Sequence, residues 1–312
     1  MTLRKARDLY PAKVGVVDGD RTFTYARIGE RVNSLARFFQ TRDIKPRDRI
    51  SILEVNSLAF LETYYAAAGI GAILNPLNYR LAPQEIAYIL RDSGSRWLVA
   101  GSRFASLVKG ILDEDTPLEG ILQIGDSPSF SEGITCYEYE NMIHSHAGIF
   151  EPVAIREDDV AHLYYTSGTT GRPKGVMLTH KNVCFHALGT IAELKLTDSD
   201  IWGHIAPMFH LADAWAAFAI TWVGGCHVMV AQFEAEAVMA TIERERITLS
   251  NMIPTMLNLM IKHPKVGEFD FSSLRVILSG GAPIAPEVVR RIMEAFGCDY
   301  IQTYGMTETS PY

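Results

Sequence analysis

The sequence predicts an α/β fold built from two layered α/β subdomains whose largely parallel sheets pack together. Short apolar segments of strand length alternate with amphipathic segments of helical spacing along most of the chain. This alternation is typical of parallel sheets. At 312 residues, with 48% hydrophobic and 21% charged residues, the chain can bury an ample core as two domains or one large one.

The first half opens with two strand-like runs at 13–25 joined by Asp-Gly-Asp, which is a hairpin signal. Apolar residues at 28, 32, 35, 36 and 39 then follow helical spacing. The same reasoning predicts strands at 49–55, 72–78, 96–101 and 120–126, and helices at 58–69, 82–94 and 103–114. The Ser, Pro and Gly content of 126–133 indicates a surface loop.

In the second half, predicted strands at 161–165 and 176–179 flank a loop rich in Gly and Thr. The apolar stretch 212–231 contains Asp213, a Gly-Gly break and His227, which the centre of a membrane would penalise. A buried helix followed by a buried strand is therefore expected there. Further predictions are helices at 233–247 and 285–297 and strands at 248–254, 275–281 and 299–305. We predict one subdomain over 51–195 and a second over 10–50 plus 196–312.

Charge and cysteine content exclude several classes of protein. The formal net charge is -7 without a basic run, which argues against a nucleic-acid partner. The N-terminal MTLRKARDLYPAKVG lacks the apolar region of a signal peptide. The four cysteines form no CxxC pair, and the histidines at 144, 146 and 162 lack metal-ligand spacing. We therefore expect reduced thiols in a cytoplasmic protein with no transmembrane segment.

The loop in YYTSGTTGRPKGVMLTH, residues 164–180, has the composition of a phosphate site. Its glycines let a backbone approach an anion, and hydroxyls and one lysine add donors. The candidate residues are Thr166, Ser167, Gly168, Thr169, Thr170, Gly171 and Lys174. It is not a Walker A loop, because Pro173 precedes the lysine and Gly175 follows it. A solvated hairpin tip is the alternative interpretation.

The ten residues TSGTTGRPKG resemble the phosphate-binding signature of the adenylate-forming superfamily. This superfamily includes acyl-CoA synthetases, peptide-synthetase adenylation domains and beetle luciferases. The resemblance implies an adenylate-forming N-terminal domain in which Lys174 and the loop hydroxyls meet the β- and γ-phosphates of ATP.

Two later segments also resemble the superfamily and follow in its order. In YGMTETSP, residues 304–311, the resemblance implies that Tyr304 stacks on adenine and Thr307 meets the α-phosphate. Gly305 would lie beside nucleotide and acid, and Glu308 would help bind Mg²⁺. In SGGAPIAP, residues 279–286, the turn implied to hold adenine is Gly281, Ala282 and Pro283. Alone, the segment at 304–311 equally suits a strand end with a solvated Glu. The segment at 279–286, taken alone, also suits the start of a helix.

PMFHLADAW, residues 207–215, resembles the segment that places a histidine beside the acyl carboxylate. His210 is the matching residue, and Trp215 is a candidate gate of an acyl tunnel, as in fatty-acyl-CoA synthetases. A core histidine and a packed tryptophan are the alternatives. Asp213 is displaced from the position where adenylation domains hold an amino group, which argues against an amino acid substrate.

The resemblance implies ATP-dependent activation of a carboxylic acid, a fatty or related acyl acid, to acyl-AMP, followed by thioester formation with CoA. The superfamily continues beyond the position of Tyr312 with a small lid domain that carries a catalytic lysine, so we expect a truncated N-terminal domain. A non-catalytic ATP- or acyl-binding module is the alternative, and a homodimer stays open. A P-loop kinase is disfavoured, and no GxSxG elbow occurs.

Overall fold

The structure is a computed structural model that describes residues 2–126, 130, 133–167 and 171–310. The chain divides into a first unit of residues 1–26, 56–58 and 184–312 and a second unit of residues 27–55 and 59–183. Residues 27–50, predicted to belong with 196–312, lie in the second unit, and residues 184–195, predicted to belong with 51–183, lie in the first. The strand that begins at Arg49 pairs only with second-unit strands among the described residues, which accounts for part of this difference.

The described residues form fourteen strands and twelve α-helices. The strands are β1 (Val14–Asp18), β2 (Arg21–Thr24), β3 (Arg49–Leu53), β4 (Ile73–Pro76), β5 (Trp97–Gly101), β6 (Gly120–Ile124), β7 (Thr135–Glu138), β8 (Val160–Thr166), β9 (Lys174–Thr179), β10 (Ile201–His204), β11 (Cys226–Met229), β12 (Leu249–Asn251), β13 (Val276–Ser279) and β14 (Asp299–Gln302). The helices are α1 (Thr2–Leu9), α2 (Tyr25–Thr41), α3 (Leu58–Gly69), α4 (Pro83–Ser93), α5 (Ala105–Leu112), α6 (Tyr139–Ser145), α7 (His180–Glu193), α8 (Leu211–Ala214), α9 (Ala216–Val223), α10 (Ala235–Glu245), α11 (Pro254–Ile261) and α12 (Pro286–Phe296).

The first unit contains a seven-stranded sheet, the first sheet, in the order β14-β13-β12-β10-β11-β1-β2. All of its strand pairs are parallel except β1 with β2. Strands β10, β12, β13 and β14 therefore end at one side, which we call the carboxyl edge of the first sheet. Open parallel sheets bind their ligands at this edge.

The second unit contains another seven-stranded sheet, in the order β7-β6-β5-β3-β4-β8-β9. Here too only the terminal pair, β8 with β9, is antiparallel among the described strands. Two largely parallel sheets with alternating helices confirm the predicted α/β class. The predicted 126–133 loop lies mostly outside the described residues.

Each unit has its own apolar core. Apolar residues recur with the period of the helix or strand that carries them, so they share its inward face. The first core includes Val238, Ile242, Leu257, Ile277, Ile292 and Phe296, all buried. The second includes Ile86, Leu90, Leu98, Val108, Ile111 and Ile121. The cysteines are free, two buried and two half-buried. Across the residues that the structure describes, no helix combines the length and apolarity needed to cross a membrane.

His162 on β8 is a buried aromatic residue of the second unit, 2% exposed. Its ring meets the edges of Tyr64 and Tyr164 at centroid distances of 5.1 and 6.0 Å, and the two tyrosine hydroxyls lie 2.6 Å apart. Burial, with a smaller effect of His180, lowers the pKa of His162 to about 3. The folded protein therefore keeps this ring neutral well below the pH at which a free histidine is protonated.

This burial predicts a contribution of His162 to acid unfolding. Below about pH 6.5 the unfolded chain binds a proton at His162 that the folded chain does not, so stability falls as the pH falls. The slope is up to about 1.4 kcal/mol per pH unit. His162→Phe, which keeps a ring but cannot titrate, should flatten the pH dependence of denaturant unfolding between pH 6.5 and 4. An unchanged slope would contradict the assignment.

Candidate active site

The glycine- and threonine-rich loop connects the antiparallel strands β8 and β9. Thr166 and Lys174 are register partners at the loop end of this hairpin, so both side chains lie on the same face of the sheet. Lys174 and Ser167 are exposed, and Gly171 has φ +91°, a left-handed conformation that favours glycine. Of the predicted phosphate residues, Gly168, Thr169 and Thr170 lie outside the described residues.

Helix α4 lies beside both ends of this loop. The Tyr165 hydroxyl donates to Asp92 Oδ2 at 2.6 Å, and the Arg172 guanidinium lies 5.7 Å from the centre of the Tyr88 ring. Burial, with the Asp92 carboxylate, raises the pKa of Tyr165, so the phenol stays a donor. A groove of about 640 Å³ is lined by Gln84, Glu85, Tyr88, Arg91, Asp92 and Gly171–Pro173. The second unit thus presents a cationic loop end against one face of α4.

The two segments predicted to bind the nucleotide leave the first sheet side by side. Ser279 and Gln302 are register partners at the ends of β13 and β14. The backbone N–H and the hydroxyl of Thr303 both donate to the Ser279 carbonyl, at 2.7 and 3.2 Å. A side chain at Gly280 would lie 2.3 Å from the Thr303 hydroxyl, so this close approach requires glycine. The turn after β13 and the segment after β14 are therefore joined at the carboxyl edge of the first sheet.

The side chains at this edge face solvent. Tyr304 is 88% exposed, Glu308 is exposed and Thr307 is half-buried in a short 3₁₀ turn. The other predicted nucleotide residues, Gly281, Ala282, Pro283 and Gly305, are exposed too. Gly281 has φ +78°, a left-handed conformation that favours glycine. The Tyr304 ring, the Thr307 hydroxyl and the Glu308 carboxylate are therefore accessible to solvent. Exposed glycine backbone lies in the same segments.

The predicted acid-binding segment follows β10 and reaches the same edge. His210 is exposed, with its ring 4.5 Å from that of Phe209, and it is the residue before α8. Trp215 is instead 2% exposed: its Nε1 donates to the Ala212 carbonyl at 2.8 Å, and its ring meets Trp202 edge-on at 4.9 Å. The first unit thus gathers the predicted adenine, α-phosphate and acid residues at one edge, with Trp215 packed behind them.

The AMP-binding enzyme family matches residues 3–312 of this sequence. The chain belongs to this family. It is 32% identical to a feruloyl-CoA synthase of Amycolatopsis sp over 319 residues, covering 99% of the chain and 59% of that relative. It is 31% identical to the long-chain-fatty-acid–CoA ligase FadD13 of Mycobacterium tuberculosis over 290 residues, covering 93% and 56%. The resemblance to adenylate-forming enzymes is thereby confirmed.

A solved relative shares the fold of this AMP-binding enzyme. The anthranilate CoA ligase AuaEII, in complex with anthranoyl-AMP, superposes with a TM-score of 0.92 at 26% identity, over 99% of this chain and 60% of its own. The AMP-binding chain thus spans less than two thirds of the length of these relatives.

Asn56 supports the backbone that precedes His210 and was not predicted from the sequence. Its side-chain amide donates to the carbonyls of His204 and Ala206 at 2.7 and 2.9 Å, and its oxygen accepts from the Met208 N–H at 2.7 Å. It is 4% exposed and fixes the backbone that leads to His210. Nothing near Asn56 in the sequence signals this role, because its partners lie about 150 residues away.

The donors present fit Mg²⁺ only together with a phosphate. In the described ranges, no group of three or more His, Cys, Asp or Glu could hold a metal ion. Mg²⁺ is commonly bound by one or two carboxylates plus substrate phosphates and waters. The single exposed carboxylate of Glu308 suits that pattern.

Proposed function

We propose that this AMP-binding enzyme activates a carboxylic acid with ATP, giving acyl-AMP and pyrophosphate. In the whole protein, CoA would then displace AMP to form a thioester. One observation carries the proposal: the segments containing His210, Gly281 and Tyr304 leave parallel strands at one edge of the first sheet. The relatives that are CoA ligases support the same reaction class.

The loop between β8 and β9 is assigned to the phosphates. Lys174 supplies a positive charge for the β- and γ-phosphates. The hydroxyls of Thr166, Ser167, Thr169 and Thr170 donate, while Gly168 and Gly171 let the backbone approach. Each charge-assisted bond of this kind contributes about 1.5–3 kcal/mol. The exposure of Lys174 beside Thr166 supports this role.

The carboxyl edge is assigned to the rest of ATP. Tyr304 stacks on adenine, and the turn Gly281–Pro283 with Gly305 borders the ring. Thr307 donates to the α-phosphate. Glu308 would hold Mg²⁺, which when bound would neutralise phosphate charge. The exposure of Tyr304 and Glu308 supports these roles.

His210 and Trp215 are assigned to the acid. His210 would orient the carboxylate next to Gly305, and Trp215 would border the acyl chain and gate it. We propose a fatty or related acyl acid, as the long-chain-fatty-acid–CoA ligase relative suggests. An aromatic acid is the second candidate, favoured by the feruloyl-CoA synthase and anthranilate CoA ligase relatives.

In the proposed reaction a carboxylate oxygen forms a bond to the α-phosphorus, and the bond from that phosphorus to the pyrophosphate oxygen breaks. Because both reactants are anions, the protein acts by positioning them and neutralising charge. In the second step the CoA sulfur bonds to the acyl carbon, the carbon–oxygen bond to AMP breaks and the thiol proton is lost. A cytoplasmic location and a homodimer stay predictions.

Tyr304→Ala tests the adenine assignment. Base–aromatic stacking is worth about 1–3 kcal/mol, so the Kd of ATP should rise about 5- to 150-fold. Because the side chain is 88% exposed, the fold should be unaffected. Tyr304→Phe, the matched control, should bind ATP nearly as tightly as the wild type. Equal affinities for the alanine variant and the wild type in calorimetric titration would refute the stacking.

The proposed activity is tested by ATP–pyrophosphate exchange with short-, medium- and long-chain and aromatic acids in the presence of Mg²⁺. Exchange that depends on one class of acid would support the proposal and identify the substrate class. ATP binding without exchange, in folded protein, would favour the alternative of a non-catalytic ATP- or acyl-binding module. Neither exchange nor binding would refute both.

A further inference from the structure

A chain of polar side chains is buried in the first unit. The Asp213 carboxylate accepts from Trp202 Nε1 at 3.2 Å and lies 2.5 Å from His204 Nδ1. His204 Nε2 lies 3.0 Å from His227 Nδ1, and His227 Nε2 lies 2.9 Å from the Thr221 hydroxyl. All five residues are 0% exposed. We call them the buried relay.

Hydrogen-bond chemistry gives the buried relay a direction. Ionised Asp213 only accepts, so His204 Nδ1 carries a proton and donates to it. When the His204 ring carries its one proton at Nδ1, its Nε2 accepts from His227 Nδ1–H, and His227 Nε2 accepts from the Thr221 hydroxyl. Burial, with His204 nearby, lowers the pKa of His227 well below its usual value. Every ring nitrogen of the two histidines has a partner.

The buried relay ties α8 to three neighbouring elements. Asp213 lies on α8, Trp202 and His204 on β10, His227 on β11 and Thr221 on α9. Helix α8 has only four residues and is too short to be stable alone. His210 immediately precedes it and Trp215 immediately follows it. The position of both side chains therefore depends on where α8 is held.

A second contact reinforces this dependence. The Asn251 side chain at the end of β12 donates to the Ala212 carbonyl at 2.7 Å, the same carbonyl that accepts from Trp215. An apolar core would hold a helix without the desolvation cost of a carboxylate and two imidazoles. Directional bonds instead fix one register of α8 on the sheet.

We propose that Asp213, His204 and His227 are positioning residues that set His210 and Trp215 for the acid substrate. This inference rests on the proposed function, because it assumes that the segment 207–215 receives the acid. None of the three touches the substrate, since all are enclosed. Their loss should therefore affect use of the acid and leave ATP binding alone.

Asp213→Leu and Asp213→Asn separate positioning from bulk packing. Leucine leaves the Trp202 and His204 donors unpaired, so the KM for the acid in pyrophosphate exchange should rise about 10-fold or more. The KM for ATP should change less than about 3-fold. Asparagine can accept from Trp202 and donate to His204 Nδ1, which reverses every later bond in the buried relay. It should keep the KM for the acid within about 3-fold of the wild type.

Asp200→Asn is the matched control. Asp200 is a 4% exposed aspartate of the same unit, paired with Arg275 at 2.8 and 3.0 Å, at the opposite end of β10. Its loss should lower stability without raising the KM for the acid. An acid KM raised equally in the Asp200 variant would overturn the positioning role.

NMR of the histidine ring nitrogens tests the direction of the hydrogen bonds in the buried relay, even if Asp213→Leu does not fold. The wild type should show His204 and His227 as Nδ1–H tautomers, and Asp213→Asn should show both as Nε2–H tautomers. Unchanged tautomers would overturn the inference, as would an unchanged acid KM in folded Asp213→Leu. A wild type without acid-dependent exchange would instead refute the proposed function, and the inference with it, whatever the tautomers.

Discussion

Lys174→Ala is expected to slow acid-dependent ATP–pyrophosphate exchange about 10- to 150-fold. This range corresponds to one lost charge-assisted contact of about 1.5–3 kcal/mol to the β- or γ-phosphate. Lys174 is the exposed first residue of β9, so removing its side chain should leave the fold intact. The exchange rate at saturating acid and varied ATP measures the loss.

Lys181→Ala is the matched control for this prediction. Lys181 is an exposed lysine seven positions later whose ammonium lies 3.2 Å from Glu157 Oε1. Its replacement should leave exchange within about 2-fold of the wild type, because a surface ion pair contributes little. Equal losses in the two variants would indicate a general effect of surface charge and contradict the assignment of Lys174.

Arg31→Met is expected to lower the free energy of unfolding by about 3–5 kcal/mol. Arg31 on α2 is 4% exposed and binds Glu62 of α3 at 2.5 and 3.1 Å and Glu140 of α6 at 2.7 and 2.8 Å. The Tyr139 hydroxyl also donates to Glu62, at 2.7 Å. Burial alone would lower the pKa of Arg31, but the Glu140 and Glu62 carboxylates raise it. Without the guanidinium, Glu62 would be a buried carboxylate lacking a countercharge.

Two variants separate this mechanism from a packing defect. Glu140→Gln removes a carboxylate whose side chain is 48% exposed and should cost about 1 kcal/mol or less. Combining Arg31→Met with Glu62→Leu removes both buried charges and should recover most of the lost stability. Denaturant unfolding measures all three variants. If the double variant is as unstable as Arg31→Met, the lost stability comes from a packing defect and not from the unpaired charge of Glu62.

The sequence predicted the elements whose pattern is strong and local. The strands at 49–53, 97–101 and 276–279 are apolar runs bounded by turn residues, and the helices at 83–93 and 286–296 start with proline. The observed boundaries of the elements differ from the predicted ones by a few residues where helix and strand signals overlap. The predicted strand over 248–254 ends at Asn251, because Pro254 starts helix α11. Helix α7 was missed, since its exposed Phe185 and Leu188 blur the amphipathic pattern.

The candidate site could be proposed from the sequence only where its residues are contiguous. TSGTTGRPKG, SGGAPIAP and YGMTETSP could be read directly, because each combines glycine with donors over a short span. Asn56, the Tyr165–Asp92 bond and the buried relay could not be predicted. Their partners are brought together by sheet order, which a single sequence does not specify. Asp213 shows the limit: its position in the sequence argues only against an amino acid substrate, and the structure buries it against His204.

The most direct test of the account uses an acid labelled with ¹⁸O in its carboxylate. The chain is incubated with this acid, ATP and Mg²⁺ without CoA, and the released AMP is analysed by mass spectrometry. Attack of the carboxylate on the α-phosphorus predicts AMP that carries a single ¹⁸O atom, because hydrolysis of acyl-AMP at its acyl carbon leaves the bridging oxygen on phosphorus. Unlabelled AMP, or ADP in its place, would contradict acid activation through acyl-AMP.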